Sequence, residues 1–336
     1  MNSAAGRAPT SADVARLARV SRSTVSLVVN DVPTARIPEA TRERVLAAVR
    51  ELGYAPDVSA RRLRAGSSRL VLMPLPRIPL NPAIDTMIEH LSEKLRESGL
   101  TLLVHGDRTA TGTAAARTWA ELRPAAVLVT ADRCTKSSVA LLRRAGTEVL
   151  MISERPVPWA DALVFDQERV GAEAAAHLLA VGHRHLAAIV PSGPLQSMGR
   201  DRAEGLRNAV HAAGARSEEI IMEATHDSAA AAAAAVRRPG GPTAVFTYND
   251  EYGALLHRAL DDLGAVMPDD VALVGADNLP IATFLRPALS SLALNPLEIA
   301  DHVCTAIRSM LERSAHTEPV VAGVLATPLL IRRETS

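Results

Sequence analysis

The chain has 336 residues, 48% of them hydrophobic and 2% aromatic, with 37 Lys plus Arg balancing 37 Asp plus Glu. That length is too great for one ordinary core, and that apolar content excludes a globally disordered chain, so two or three domains built from Ala, Leu, Val and Ile are expected. No apolar run is long enough to span a bilayer and no apolar stretch follows Arg7, which predicts a cytoplasmic protein without a membrane partner.

The balanced charge is unevenly placed. Residues 1–66 carry eleven Arg and no Lys against six acids, a net +5, which leaves −5 for the rest of the chain. A basic head on an acidic body points to a polyanion as the partner of the head alone. Cys134 and Cys304 lack CxxC spacing and predict neither a disulfide framework nor a zinc site.

The first periodic stretch predicts a helix capped by Thr10 or Ser11 and ending at Ala18, with Val14, Leu17 and Ala18 inward. A turn at Arg19-Val20-Ser21 follows. Ser21 then caps a second helix to about Asn30, with Val25, Val28 and Val29 inward. Glu39 to Leu52 reads as a third helix, carrying Val45, Leu46, Val49 and Leu52 on one face and ended by Gly53. Pro56 blocks continuation. Val58 to Ala65 is too short to be helical alone in water and is expected to fold only when docked.

From Arg69 the pattern alternates between strand and helix. Strands are predicted at 70–75, 100–105, 125–130, 148–152, 162–165, 186–190, 219–222, 244–247, 271–275 and 329–331. Helices are predicted at 83–98, 169–181, 200–213, 252–263 and 297–311, and the alanine run 229–235 reads as a further helix. Short, near-continuously apolar strands between helices imply parallel sheets covered on both faces. The β-α pattern occurs twice, which implies two similar lobes.

On the second helix Arg22, Ser23, Ser26 and Leu27 share one stripe, opposite Val25 and Val28. In a helix-turn-helix that stripe faces the major groove. Ser21 and Thr24 are placed to bond phosphates through hydroxyls at the helix N-terminus. Thr10, Asn30 and Arg36 complete the candidate DNA-contacting set of the head.

The stretches TSADVARLARVSRSTVSLVVN (Thr10–Asn30) and TRERVLAAVRELGYAPDVSARRLRAG (Thr41–Gly66) resemble the head and hinge of the LacI/GalR family of bacterial transcription regulators. Several stations in the body extend the resemblance over essentially the whole chain. It implies an α/β protein with an N-terminal three-helix helix-turn-helix head (1–55), a hinge (56–68) and a two-lobed body like periplasmic binding proteins (69–336). It also implies a homodimer on a palindromic operator of double-stranded DNA. Leu63 takes the place of the leucine that wedges into a central minor-groove step, and Ala60 the small position where paired hinge helices meet. The chain ends without an extra heptad helix, so a dimer rather than a tetramer is expected. Two residues depart from the pattern. Arg19 stands where the turn usually has Gly, and Leu27 stands where an Arg usually reads a base.

The resemblance places a small-molecule effector between the lobes, at strand ends. Asn81-Pro82 matches the start of an NP-aromatic-aromatic motif whose aromatics are here Ala83 and Ile84. Phe165 matches a strand-end aromatic, and Arg202 an effector-binding Arg in R-x-x-G. Asn249 belongs to an ND pair, and Asp277 in GADN matches a hydroxyl-binding Asp. A fork donor, an amide and an acceptor suit a polyhydroxylated or carboxylated ligand. The alternatives are a solute-binding-type sensor, or a regulator with no small-molecule effector. No GxGxxG opening a helix, P-loop, GxSxG or HExxH is present, so no enzyme, no catalytic residue and no cofactor is expected. His183 and His185 follow a helix without further ligands nearby and do not predict a metal site.

Overall fold

A computed structural model describes residues 9–29, 37–54, 68–313, 320–325 and 328–336. The chain divides into two compact units, Met1–Ser68 and Arg69–Ser336.

Three helices form the described part of the first unit: α1 Ser11–Ala18, α2 Arg22–Val29 and α3 Glu39–Leu52. Helix α1 starts at Thr10, where Asp13 reaches back to accept from the Thr10 N–H (3.0 Å) and hydroxyl (2.6 Å). Those two bonds hold the Asp13 carboxyl below its usual range. At the start of α2, Ser21 Oγ accepts from the Thr24 N–H at 3.0 Å. Gly53 closes α3 in the left-handed conformation, where a residue without Cβ is unstrained. Val14, Ala15, Ala18, Val25, Val28, Val45 and Ala48 make the core. Two expected core positions are displaced. Leu17 is 43% exposed, its place taken by Ala15, and Leu46 is 37% exposed, its place taken by Ala48. In both helices the small residue lets the backbones approach and leaves the leucine at the rim.

The second unit carries two six-stranded sheets. The first has the order β11-β5-β4-β3-β1-β2, from Leu70–Pro74 (β1), Thr101–His105 (β2), Ala126–Thr130 (β3), Glu148–Ser153 (β4), Asp161–Phe165 (β5) and Val321–Leu325 (β11). The second has the order β12-β10-β9-β8-β6-β7. It uses His185–Pro191 (β6), Arg216–Met222 (β7), Ala244–Phe246 (β8), Ala272–Ala276 (β9), Ser290–Ala293 (β10) and Leu329–Ile331 (β12). All described pairings are parallel except β10 with β12. Burial alternates as a sheet covered on both faces requires. In β6, Ala187 and Ile189 enter one core, while Leu186, Ala188 and Val190 enter the other. Val71 and Met73 likewise face away from Leu72 in β1.

The covering helices are α4 Pro82–Glu97, α5 Gly112–Glu121, α6 Lys136–Arg144, α7 Gln167–Ala180, α8 Gln196–Ala212, α9 His226–Val236, α10 Asp250–Asp262, α11 Ile281–Phe284 and α12 Pro296–Glu312. The chain changes lobe after β5, between β10 and α12, and between β11 and β12. Helix α12 therefore packs on the first lobe, with Val303 and Ile307 in the same core as Leu91 and Leu95 of α4. The predicted strands omit β10 and β11, and the predicted helices omit α5, α6 and α11. SSLA is short and half polar, and β11 carries a glycine, so neither gives a strand signal.

Arg19 ends α1 at φ 54 and ψ 50, a conformation that crowds Cβ against the carbonyl of an L-residue. Arg19→Gly is expected to stabilise the head by about 1 kcal/mol. Circular-dichroism melts of the full chain would show a raised head transition; an unchanged or lower midpoint would contradict this.

Candidate functional site

The head presents one polar face. Val25 and Val28 are buried, while Arg22, Ser23 and Leu27 on the opposite stripe of α2 are exposed and Ser26 is half-buried. Three hydroxyls gather at the start of the helix. Ser21 Oγ lies 2.6 Å from Ser23 Oγ and 2.8 Å from Thr24 Oγ1. This cluster sits at the positive end of α2, where an anion is favoured. The Thr10 hydroxyl is engaged by Asp13 in the capping contact at α1. Asn30, Arg36, Ala60 and Leu63 lie outside the described residues.

In the body, Asn81, Asp277 and Arg202 are brought together, and Asn81, Phe165, Asn249 and Asp277 lie at or beyond the C-terminal ends of strands, where open parallel sheets bind ligands. Asn81 caps α4, its Oδ1 accepting from the Ile84 N–H at 3.0 Å. Its Nδ2 donates to Asp277 Oδ2 of the other lobe at 3.5 Å. Asp277 follows β9 and also accepts from the Arg202 guanidinium at 3.4 Å. Asn249 caps α10, with Oδ1 taking the Tyr252 N–H at 3.1 Å. Phe165 ends β5 and packs against cores of both lobes.

Arg202 is the centre of this group. It is 3% exposed. Its Nε donates to Gln167 Oε1 at 2.7 Å, a terminal nitrogen donates to the Tyr248 carbonyl, and the plane lies 4.7 Å from the centroid of the Tyr248 ring. A guanidinium taken out of water needs such partners, since an unpaired one would carry a large desolvation penalty. The two contacts to Asp277 are long, near the outer limit of hydrogen bonding. The carboxylate therefore keeps acceptor capacity for a ligand hydroxyl placed between the lobes.

A close helix crossing delivers Arg202 to this place. A Cβ on Gly205 of α8 would lie 1.7 Å from the Glu168 carbonyl oxygen, and a Cβ on Gly171 of α7 would lie 1.7 Å from that of Arg202. The two glycines answer each other across α7 and α8. The glycine of R-x-x-G is thus a packing requirement that brings Gln167 against Arg202.

Gln167 and Tyr248 join the cluster without having been expected, and Asp250 joins it as the second residue of the ND pair. Gln167 lies two residues past Phe165 in VFDQE, and Tyr248 directly precedes Asn249 in TYND, so the signal for both is their adjacency to motif residues. Asp250 is fully buried at the first position of α10 and accepts from the Leu279 N–H at 2.6 Å. Burial pushes its carboxyl up to about 7. Burial also raises the Tyr248 hydroxyl well above its usual value. The cluster offers acceptors and donors for binding, and no nucleophile paired with a base. Among the described residues no His, Cys, Asp and Glu group could hold a metal ion. A cavity of about 560 Å³ lies elsewhere, on the flank of the first lobe beside α12, lined by Asp161, His302 and Arg313 among others.

Residues 10–57 match the family model described as bacterial regulatory proteins, lacI family. Residues 175–336 match a periplasmic binding protein-like domain. The chain is 30% identical over 314 residues to the HTH-type transcriptional repressor PurR of Aliivibrio fischeri (strain MJ11), covering 90% of each chain. A solved complex of the transcriptional regulator CelR with cellobiose is 25% identical, with a TM-score of 0.65 over 98% of this chain and 100% of that one. The Lac repressor dimer bound to operator and the anti-inducer ONPF shares the fold, with a TM-score of 0.82 at 22% identity over 98% and 99%.

The crossing predicts a sharp steric effect. Gly205→Ala must push α7 from α8, breaking the Gln167–Arg202 bond and costing about 2–3 kcal/mol of body stability. Urea unfolding would measure it; a loss under about 0.5 kcal/mol, within the scatter of ordinary surface changes, would show the helices can separate freely.

Proposed function

Since the chain belongs to the lacI family of bacterial regulatory proteins, we propose that it is a repressor that binds a palindromic operator as a homodimer and responds to a small polar effector held between its lobes. The observation that carries this reading is the α2 face, with Arg22 and Leu27 exposed beside a hydroxyl cluster and backed by buried Val25 and Val28. Residues 1–55 read the operator, with Thr10, Ser21, Arg22, Ser23, Thr24, Ser26, Leu27, Asn30 and Arg36 as its contacts. Residues 56–68 form the hinge, whose Ala60 and Leu63 meet the minor groove, and 69–336 sense and dimerise. Arg22 is the main base reader, because Leu27 has no hydrogen-bond donor and can only touch a thymine methyl.

Dimerisation has support from the body. Strands β2 and β7 are free sheet edges, and Leu103, Val104 and Ile221 on them are exposed, as are Ile281 and the 76% exposed Phe284 of α11. Paired copies also supply the two heads that a palindrome requires. One structural neighbour was solved as such a dimer on its operator.

The effector is sugar-like or carboxylated, bound by Asn81, Phe165, Arg202, Asn249 and Asp277. The neutral polyol is favoured because Arg202 already faces a carboxylate, and CelR was solved with cellobiose. Its binding changes the lobe angle and so biases hinge folding over the minor groove, with release from DNA as the outcome. The protein works in the cytoplasm, and among the described residues no helix is long and apolar enough to cross a membrane.

The test begins with an operator recovered by in vitro selection. Arg22→Ala should lose about 1–3 kcal/mol on that operator and little on random duplex. Equal losses on both would make Arg22 a phosphate contact. Against a panel of mono- and disaccharides, Asp277→Ala should bind operator normally and lose the response; an unaltered response would remove Asp277 from the site.

A further inference from the structure

The turn that carries Asp277 is strained. Asp277 and Asn278 are consecutive non-glycine residues in the left-handed region, at φ 82 and φ 48. Each backbone N–H of the turn is tied down, two from β10 and one from α10. Asp277 N–H donates to the Leu292 carbonyl at 2.8 Å, and Asn278 N–H to Ser291 Oγ at 3.0 Å. The next N–H, that of Leu279, goes to Asp250 Oδ2 at 2.6 Å. The Arg333 guanidinium also holds Asn278 Oδ1.

Two of these ties come from β10 and one from the C-terminal tail. Asp250 is the only carboxyl among them, and it has no exposure to solvent. Its placement is made possible by Gly275, where a Cβ would stand 2.1 Å from Asp250 Oδ1. A buried acid that excludes side chains from its neighbour, at a turn that persists against two unfavourable φ values, is over-determined in the way functional turns are.

We propose that Asp250 is a positioning residue for Asp277: from the first turn of α10 its buried carboxyl fixes the Leu279 amide, and with it the left-handed turn that aims Asp277 at Arg202 of its own lobe and across the cleft at Asn81. This rests on the reading of Asp277 as an effector contact. Asp250 itself touches no ligand; it acts through the turn.

The groups facing Asp250 give the arrangement a pH dependence. Burial raises its pKa most. The Ser291 hydroxyl and the Leu279 N–H favour the ionised form, the Asp277 carboxylate opposes it, and Arg333 favours it. With the carboxyl at about 7 in the fold against 3.8 in the unfolded chain, the folded state holds a proton that the unfolded chain has released. The contribution of Asp250 to stability therefore falls as pH rises from about 4 to about 7 and is constant above. Above that range Asp250 and Asp277 are both anionic and repel one another.

The test follows the Leu279 amide of the full chain by NMR with ¹⁵N-leucine labelling between pH 5 and 9, identified against Leu279→Met. The wild type should show an inflection within about one unit of 7. Asp250→Asn keeps an acceptor for the amide and should abolish the inflection. Asp277→Asn removes the neighbouring charge and should move it to lower pH. Hydrogen exchange at residues 277–279 should rise at least tenfold in Asp250→Ala, with the α10 interior unchanged. If that variant opens globally, the Asn titration still decides. A Leu279 amide with no inflection, or one that titrates identically in Asp250→Asn, overturns the proposal. The loss of effector response in Asp277→Ala is a separate readout, so a turn that titrates as described beside an unaltered response would retire the cleft reading and leave the positioning role standing.

Discussion

The guanidinium of Arg202 is the contact on which the cleft depends. It holds Gln167 where the chain first leaves one lobe for the other, the Tyr248 carbonyl at the end of β8, and Asp277 after β9. Through Asp277 it reaches Asn81 at the start of α4 in the other lobe. The loops after β8 and β9 and the first turn of α7 thus share one buried cation, with Asn81 linked to it through Asp277. Because the cation is out of water, losing any partner is unfavourable, and the loops are held to one arrangement.

The other lobe uses the same device. Arg133 is fully buried and donates to the carbonyl oxygens of Leu75, Asp107 and Ala110, with its guanidinium 5.4 Å from the Trp119 ring centroid. These carbonyls lie in the loops after β1 and β2, again at strand ends. In a chain with so few aromatic residues, one ring lies beside each buried arginine. Each lobe therefore gathers its strand-end loops around a cation capped by a π face. The arrangement explains how lobes built largely from Ala, Leu and Val present rigid polar rims.

Periodicity made most of the fold legible. Strands buried on both faces stand out as short apolar runs, and the helix starts at Thr10, Ser21, Asn81 and Asn249 carry side chains that cap. What stayed hidden has a physical reason in each case. Strand β10 is held by the buried Thr335 hydroxyl, which accepts from the Ser290 N–H and donates to the Leu273 carbonyl, a tie from the far end of the chain that local propensity cannot signal. Leu17 and Leu46 match the helical period yet sit at the rim, because periodicity names a face and not the depth to which helices approach. In the cleft, the motif residues were legible one by one, whereas Gln167 and Asp250 gain their meaning only from the α7–α8 crossing and the left-handed turn.

The most direct measurement is hydrogen exchange on the full-length protein against Arg202→Lys. Lysine keeps the charge but cannot donate in three directions from one plane. If Arg202 organises the cleft, protection should fall together at 166–169, 248–252, 277–279 and 81–85, while the α4–α12 core keeps its protection. Loss confined to α8, with the strand-end loops and Asn81 unaltered, would contradict the account.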